Sequence, residues 1–78
     1  MNVESLSADE LAAKDEATKS GNRNVRNQKL RDTDWTQLLD VTLTVDCKTA
    51  FATYRKALRD IDLLNPVWPD VPAEEWVA

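Results

Sequence analysis

The sequence predicts a small, mainly α-helical domain of two to three helices. It also predicts an extended Trp-containing loop and a Pro-rich C-terminal strap, the whole completed by oligomerisation or by a partner. Three observations carry this. "SLSADELAAKDEATKS" opens with a capping pattern and is dense in helix formers. "CKTAFATYRKALRDI" repeats apolar residues at three- and four-residue spacing. "NPVWPDVPAEEWVA" holds all three Pro of the chain, so it reads as extended rather than regular.

In the first element, Ser7 and Glu10 form a capping box, the Ser hydroxyl accepting from the first turn while Glu10 reaches back. Asp9, Glu10, Asp15 and Glu16 stand early and a basic cluster stands late, the polarity that a helix dipole favours. Gly21-Asn22 is the weak point. Either one helix crosses it, or one stops at Ser20 and a second starts near Asn22. Leu6 and Leu11 are the chief large apolar residues before Gly21, too few to bury a face within one chain. Residues 1–22 are therefore expected to contact a partner or sister copies, and residues 23–78 to form the domain proper.

Val25 and Leu30 indicate helix from Asn24 to Asp34, with Trp35 just past its end. "DVTLTVD" alternates like a strand but lacks a hairpin partner, so an ordered extended loop is expected, pinned by Leu38, Leu39, Val41 and Leu43. Thr44 is the natural N-cap of the next helix, with Asp46 in its first turn. Ala50 or Phe51, Tyr54, Ala57 or Leu58, and Ile61 make its apolar stripe. Lys48, Arg55, Lys56 and Arg59 fall mostly off that stripe. Asn65-Pro66 ends any remaining helix, and Trp68 is free to dock on the helix pair.

A chain of 78 residues is one domain at most. It buries only roughly 60 % of its unfolded surface, so a core of its own is marginal. Ten basic against 14 acidic residues give a net charge of −4, which argues against broad binding to nucleic acid or an anionic membrane. The charges are unevenly placed. Arg23, Arg26, Lys29 and Arg31 fall together, while Asp60, Asp62, Asp70, Glu74 and Glu75 crowd the C-terminal part. This split suits solvated faces matched to helix dipoles, or complementarity between chains in an assembly. No apolar run approaches the ~20 residues of a membrane helix, and the N-terminus lacks a signal-peptide core, so a soluble protein is expected.

Catalytic chemistry finds little purchase. There is no His to serve as general base near neutral pH, and a single Gly makes a phosphate-cradling loop implausible. Asp32, Asp34 and Asp40 lack the ladder of a calcium loop and are better explained by capping and solvation. Cys47 stands in the first turn of a helix, where the dipole favours a thiolate, but it has no His or second Cys beside it. No cofactor, metal or enzymatic activity is expected. Arg23 and Arg26 share a helical face, yet the aromatic partners that stack bases are missing around them. Trp35, Tyr54 and Trp68 suit a minimal core in which a loop and a tail close over the second helix. They also suit hot spots for a protein partner. Trp76 is the aromatic most expected to face a partner.

"RNQKLRDTDWTQLLDVTLT", then "FATYRKALRDI", then "VWPDVP" resembles the bacteriophage tail assembly chaperone proteins and the C-terminal part of the wider tail-fibre assembly group. The match covers Arg23 to Pro72. The family loop usually carries Pro where this chain has Leu39 and Thr42, and Trp where it has Phe51. The connection from "LRDI" to the "WP" ending is also shorter here. The resemblance implies a small, non-enzymatic accessory protein that binds a tail-fibre protein, at its distal tip, and helps it fold or trimerise. A homotrimer, or three copies on a trimeric fibre, follows from that reading, with no nucleic acid and no membrane involved. The setting would be the host cytoplasm during assembly, with retention on the virion tail fibre in some members. The alternative is a permanent structural component of the virion fibre that contributes to host recognition. The contact residues it implies are Trp35, Tyr54, Arg55, Arg59 and Trp68, beside Trp76 from the reading above.

Overall fold

The computed structural model describes residues 8–78; Leu6 and Ser7, and with Ser7 the capping box, lie outside the described residues. α1 spans Ala8–Thr33, a 3-10 turn follows at Asp34–Gln37, and α2 spans Val45–Arg59. The expected mainly helical fold is what the chain adopts. Of the two ways past Gly21-Asn22, the chain takes the continuous one: α1 runs through both. A lone Gly costs about 1 kcal/mol relative to Ala in a helix, too little to stop one with good formers on either side. Asn22, which often turns its amide onto its own backbone, instead donates from Nδ2 to the Leu63 carbonyl at 2.7 Å.

α1 and α2 run antiparallel, since Asn22 meets Leu63 while Leu30 and Thr33 meet Arg55. The face that α1 turns inward is Asn22, Arg26, Lys29, Leu30 and Thr33, at helical spacing but largely polar. Its N-terminal half exposes nearly every side chain, Leu11 included.

No Gly ends α1. Its last carbonyls, which a helix leaves without backbone partners, are met by side chains instead. Arg55 donates to the Leu30 oxygen at 2.6 Å, the Trp35 indole to the Asp32 oxygen at 3.0 Å, and Thr36 to the Thr33 oxygen at 2.6 Å. Thr36 is fully buried, and its hydroxyl also accepts from Gln37 at 3.0 Å, so its burial leaves no polar atom stranded.

α2 starts where expected. The Thr44 hydroxyl accepts from the Cys47 N–H at 3.1 Å, and Asp46 stands in the first turn. Phe51, Tyr54 and Leu58 are the buried members of the stripe, while Ala50 and Ala57 face solvent. The helix stops at Arg59, well before Pro66, and the Asp62 carboxylate then accepts from the Leu64 and Asn65 N–H groups to turn the chain.

Leu43 and Cys47 join Phe51, Tyr54 and Leu58 in the core, with Leu30, Trp35, Val41 and Trp68 packed around it. The tryptophans flank this core rather than form its centre. An indole is too large to be enclosed by so small a domain.

The loop differs from expectation in two places. Leu39 is 100 % exposed and Leu38 more than half exposed, so neither pins the loop. A turn at Leu39-Asp40 throws both outward, and the two-residue period then points Val41 and Leu43 inward together. That extended piece does find a partner. Leu43 pairs with Trp76 in an antiparallel bridge, Thr44 N–H to Glu75 oxygen at 2.8 Å and Val77 N–H to Thr42 oxygen at 2.7 Å. The strap therefore returns to the start of α2. No helix of the described residues is long and apolar enough to cross a membrane.

Candidate partner-binding face

The strap, the end of α1 and the middle of α2 enclose a cleft of about 220 Å³. α1 contributes Lys29, Asp32 and Thr33, and the 3-10 turn contributes Trp35. Phe51 and Tyr54 come from α2, and Val71 and Glu74 from the strap. Trp35 is fixed from three sides. Its indole N–H is tied to α1, its ring tilts against Phe51 at 6.4 Å and 52°, and Trp76 stacks on it at 5.7 Å and 12°. Both arrangements lie in the range where aromatic pairs attract.

Tyr54 is 4 % exposed, and its hydroxyl makes no hydrogen bond to any described residue. Burial pushes its titration upward, and the negative charge of Asp32 pushes it the same way. Lys29 does not fill the cleft: its ammonium sits 5.5 Å from the centroid of Trp68, a cation–π placement.

Arg55, read as lying off the apolar stripe, turns inward. One guanidinium nitrogen donates to the Leu30 oxygen and to Thr33 Oγ1 at 3.0 Å, and the other reaches Asp34 at 2.7 Å. Its fork thus binds α2 to the end of α1. Arg59 is exposed on the last turn of α2, where its charge adds to that of Lys56 in holding the Asp60 carboxyl below its usual range. Among the six residues singled out by sequence, Trp35 and Tyr54 line the cleft and Trp76 backs Trp35. Trp68 is joined to them through Lys29, whereas Arg55 turns to the end of α1 and Arg59 is exposed on the last turn of α2.

The other candidate groups have local roles. Asp32 accepts from Gln28 at 2.6 Å and Asp34 from Arg55, and no group of three His, Cys, Asp or Glu that could hold a metal occurs among the described residues. In the basic cluster, Arg26 reaches Asn27 at 3.2 Å and Arg31 reaches Gln28 at 2.8 Å. Cys47 has a role the sequence did not announce. It is buried under the strap, donating from Sγ to the Ala73 oxygen and accepting from the Glu75 N–H, both at 3.4 Å. Its place one turn before Phe51 on the apolar stripe was the available signal.

By fold the described residues form two α-helices closed by the tail of the chain, with aromatic and aliphatic side chains left at the surface. The model of the family described as phage tail assembly chaperone protein matches residues 19–73, and the chain belongs to that family. The matched span takes in the packed part of α1, all of α2 and most of the strap. No curated protein and no solved structure matches the chain. Membership gives a role in phage tail assembly with a phage tail protein as partner, in a family that is typically non-enzymatic.

Proposed function

We propose that this protein binds a phage tail-fibre protein, at its distal tip, and assists its folding and trimerisation by contact alone. The observation that carries the reading is the family match over residues 19–73, which includes Trp35, Tyr54 and Trp68. The surface supports it. Trp76 is 52 % exposed over Trp35, and Leu38, Leu39, Val67 and Val71 stand in solvent around the same small body. A monomeric domain gains nothing from such exposure, whereas a partner that covers it gains apolar burial.

An accessory chain that binds the assembled form but not the unfolded one stabilises it by mass action, about 2.7 kcal/mol at a free concentration a hundred times Kd. A trimeric fibre presents its binding surface three times, so three copies are expected on it. Residues 1–22 are assigned to the fibre or to sister copies, Trp35, Tyr54, Arg59, Trp68 and Trp76 to the contact face, and Arg55 to holding that face together. The work is done in the host cytoplasm, before or as the fibre joins the tail.

Co-expression of the fibre gene with and without this chain tests the reading. Soluble trimeric fibre is expected only when both are present; equal yield without this chain removes the assembly role. Mass spectrometry of purified particles decides the alternative, since stoichiometric presence in virions would make the protein a permanent part of the fibre.

A further inference from the structure

We propose that the cleft over Tyr54 receives an arginine side chain from a basic segment of the tail-protein partner. The proposal rests on the assembly reading for its partner, and on the cleft itself for its chemistry. Asp32 on α1 and Glu74 on the strap, both exposed, line the cleft from two different elements. Glu74 makes no hydrogen bond or ion pair through its carboxylate with any described residue. Lys29, which also lines the cleft, lies over Trp68 and forms no ion pair with either carboxylate. Tyr54 lines the same cleft, 4 % exposed as a residue, and its hydroxyl has no hydrogen-bond partner among the described residues. A buried hydroxyl in that state is an acceptor waiting for a donor.

The walls select the shape of that donor. Trp35, only partly buried, lines the cleft with its indole, on which a planar guanidinium stacks better than a hydrated ammonium does. A guanidinium also carries five N–H donors in a fixed fork, enough to serve both carboxylates and the hydroxyl together. A lysine ammonium has three donors and no plane. Burial, and after it the negative charge of Asp32, push the titration of Tyr54 upward, in keeping with an acidic cleft.

The test is an NMR titration of the full chain with three capped peptides, Gly-Arg-Gly, Gly-Lys-Gly and Gly-citrulline-Gly, read at the Trp35 indole N–H and the Phe51 and Tyr54 ring signals. Citrulline keeps the shape and loses the charge. Saturable shifts at those signals are expected with arginine, about tenfold weaker with citrulline, because charge-assisted pairs are the strong ones. Asp32→Asn with Glu74→Gln should weaken arginine binding about tenfold, and Tyr54→Phe a few-fold, with signal dispersion intact. Citrulline binding as well as arginine, or no saturable shift, overturns the proposal. So does movement of the same signals on concentrating the chain alone, lost in Arg23→Gln, which would assign the cleft to a second copy.

Co-expression separates this proposal from the one it rests on. A fibre that needs this chain yet assembles fully with the double variant overturns the cleft and leaves the assembly role. Arginine binding with a fibre indifferent to the chain overturns the assembly role alone.

Discussion

The indole of Trp76 lies flat on that of Trp35, centroids 5.7 Å apart and planes within 12°, fastening the strap to the turn that leaves α1. Trp76→Ala should cost about 2 kcal/mol, from the lost stacking and the half-buried ring area. Urea unfolding measures that cost. The thiol gives a second readout, because Cys47 is covered by strap residues Ala73 and Glu75. Alkylation of Cys47 follows the open population of the strap, so the same 2 kcal/mol should speed it about thirtyfold. Trp76→Phe should restore most of the protection.

Arg55 holds the C-terminal end of α1 through contacts at 2.6, 3.0 and 2.7 Å. Arg55→Ala should destabilise by about 2 kcal/mol, as expected for charged hydrogen bonds to partly buried acceptors. Arg55→Lys should recover less than half, since a point charge cannot reproduce the fork. Asp34→Asn should cost under about 1 kcal/mol, because that carboxylate is largely solvated. A double-mutant cycle in thermal unfolding separates the two.

Gly21 has nothing within 4 Å of an added Cβ, and it sits inside a helix. Gly21→Ala should therefore stabilise α1 by up to about 1 kcal/mol. The gain should appear chiefly as amide protection and helicity in the N-terminal half, which has little tertiary packing, and only weakly in the global melting temperature.

Tyr54 gives a pH dependence with a defined sign. Its folded-state titration lies above the ordinary 10.0, first because it is buried and then because Asp32 is near. Below pH 10 the ring is neutral folded or unfolded and contributes nothing. Above it, the unfolded chain ionises first, so stability falls as pH rises through the folded value. Tyr54→Phe should flatten the alkaline limb of a stability-versus-pH curve. At the acid end Asp60 behaves oppositely. The Lys56 hydrogen bond holds its carboxyl below the usual value, so its small contribution is present above pH 3.8 and disappears as the pH drops through the folded value.

Local signals read well in this chain. Thr44 caps α2 as its sequence position implies, and Phe51, Tyr54 and Leu58 are buried where the helical period places them. What the sequence withheld is long-range. The inward face of α1 is polar, with Asn22 and Thr33 meeting carbonyl and guanidinium partners, so no hydrophobic period marks it. The register of the strap against Leu43 depends on residues far apart in the chain, and the burial of Cys47 follows from that register. Leu38 and Leu39 read as anchors because they are apolar, but a turn decides their direction. For the candidate face, Trp35 and Tyr54 were legible as aromatics beside α2. Glu74 and Asp32 were not, since only folding brings strap and α1 to one cleft.

The unbroken passage of α1 through Gly21 makes the helix a shaft. From Ala8 to Gly21 it extends about 20 Å beyond the point where packing begins, at ~1.5 Å per residue. Whatever its N-terminal end touches is thereby set in angular phase with the Trp35 face. A single residue inserted near Gly21 would turn one about 100° against the other, and seven residues would bring them nearly back into line. Spacing and rotation between the two ends of this small protein are therefore locked together by one element.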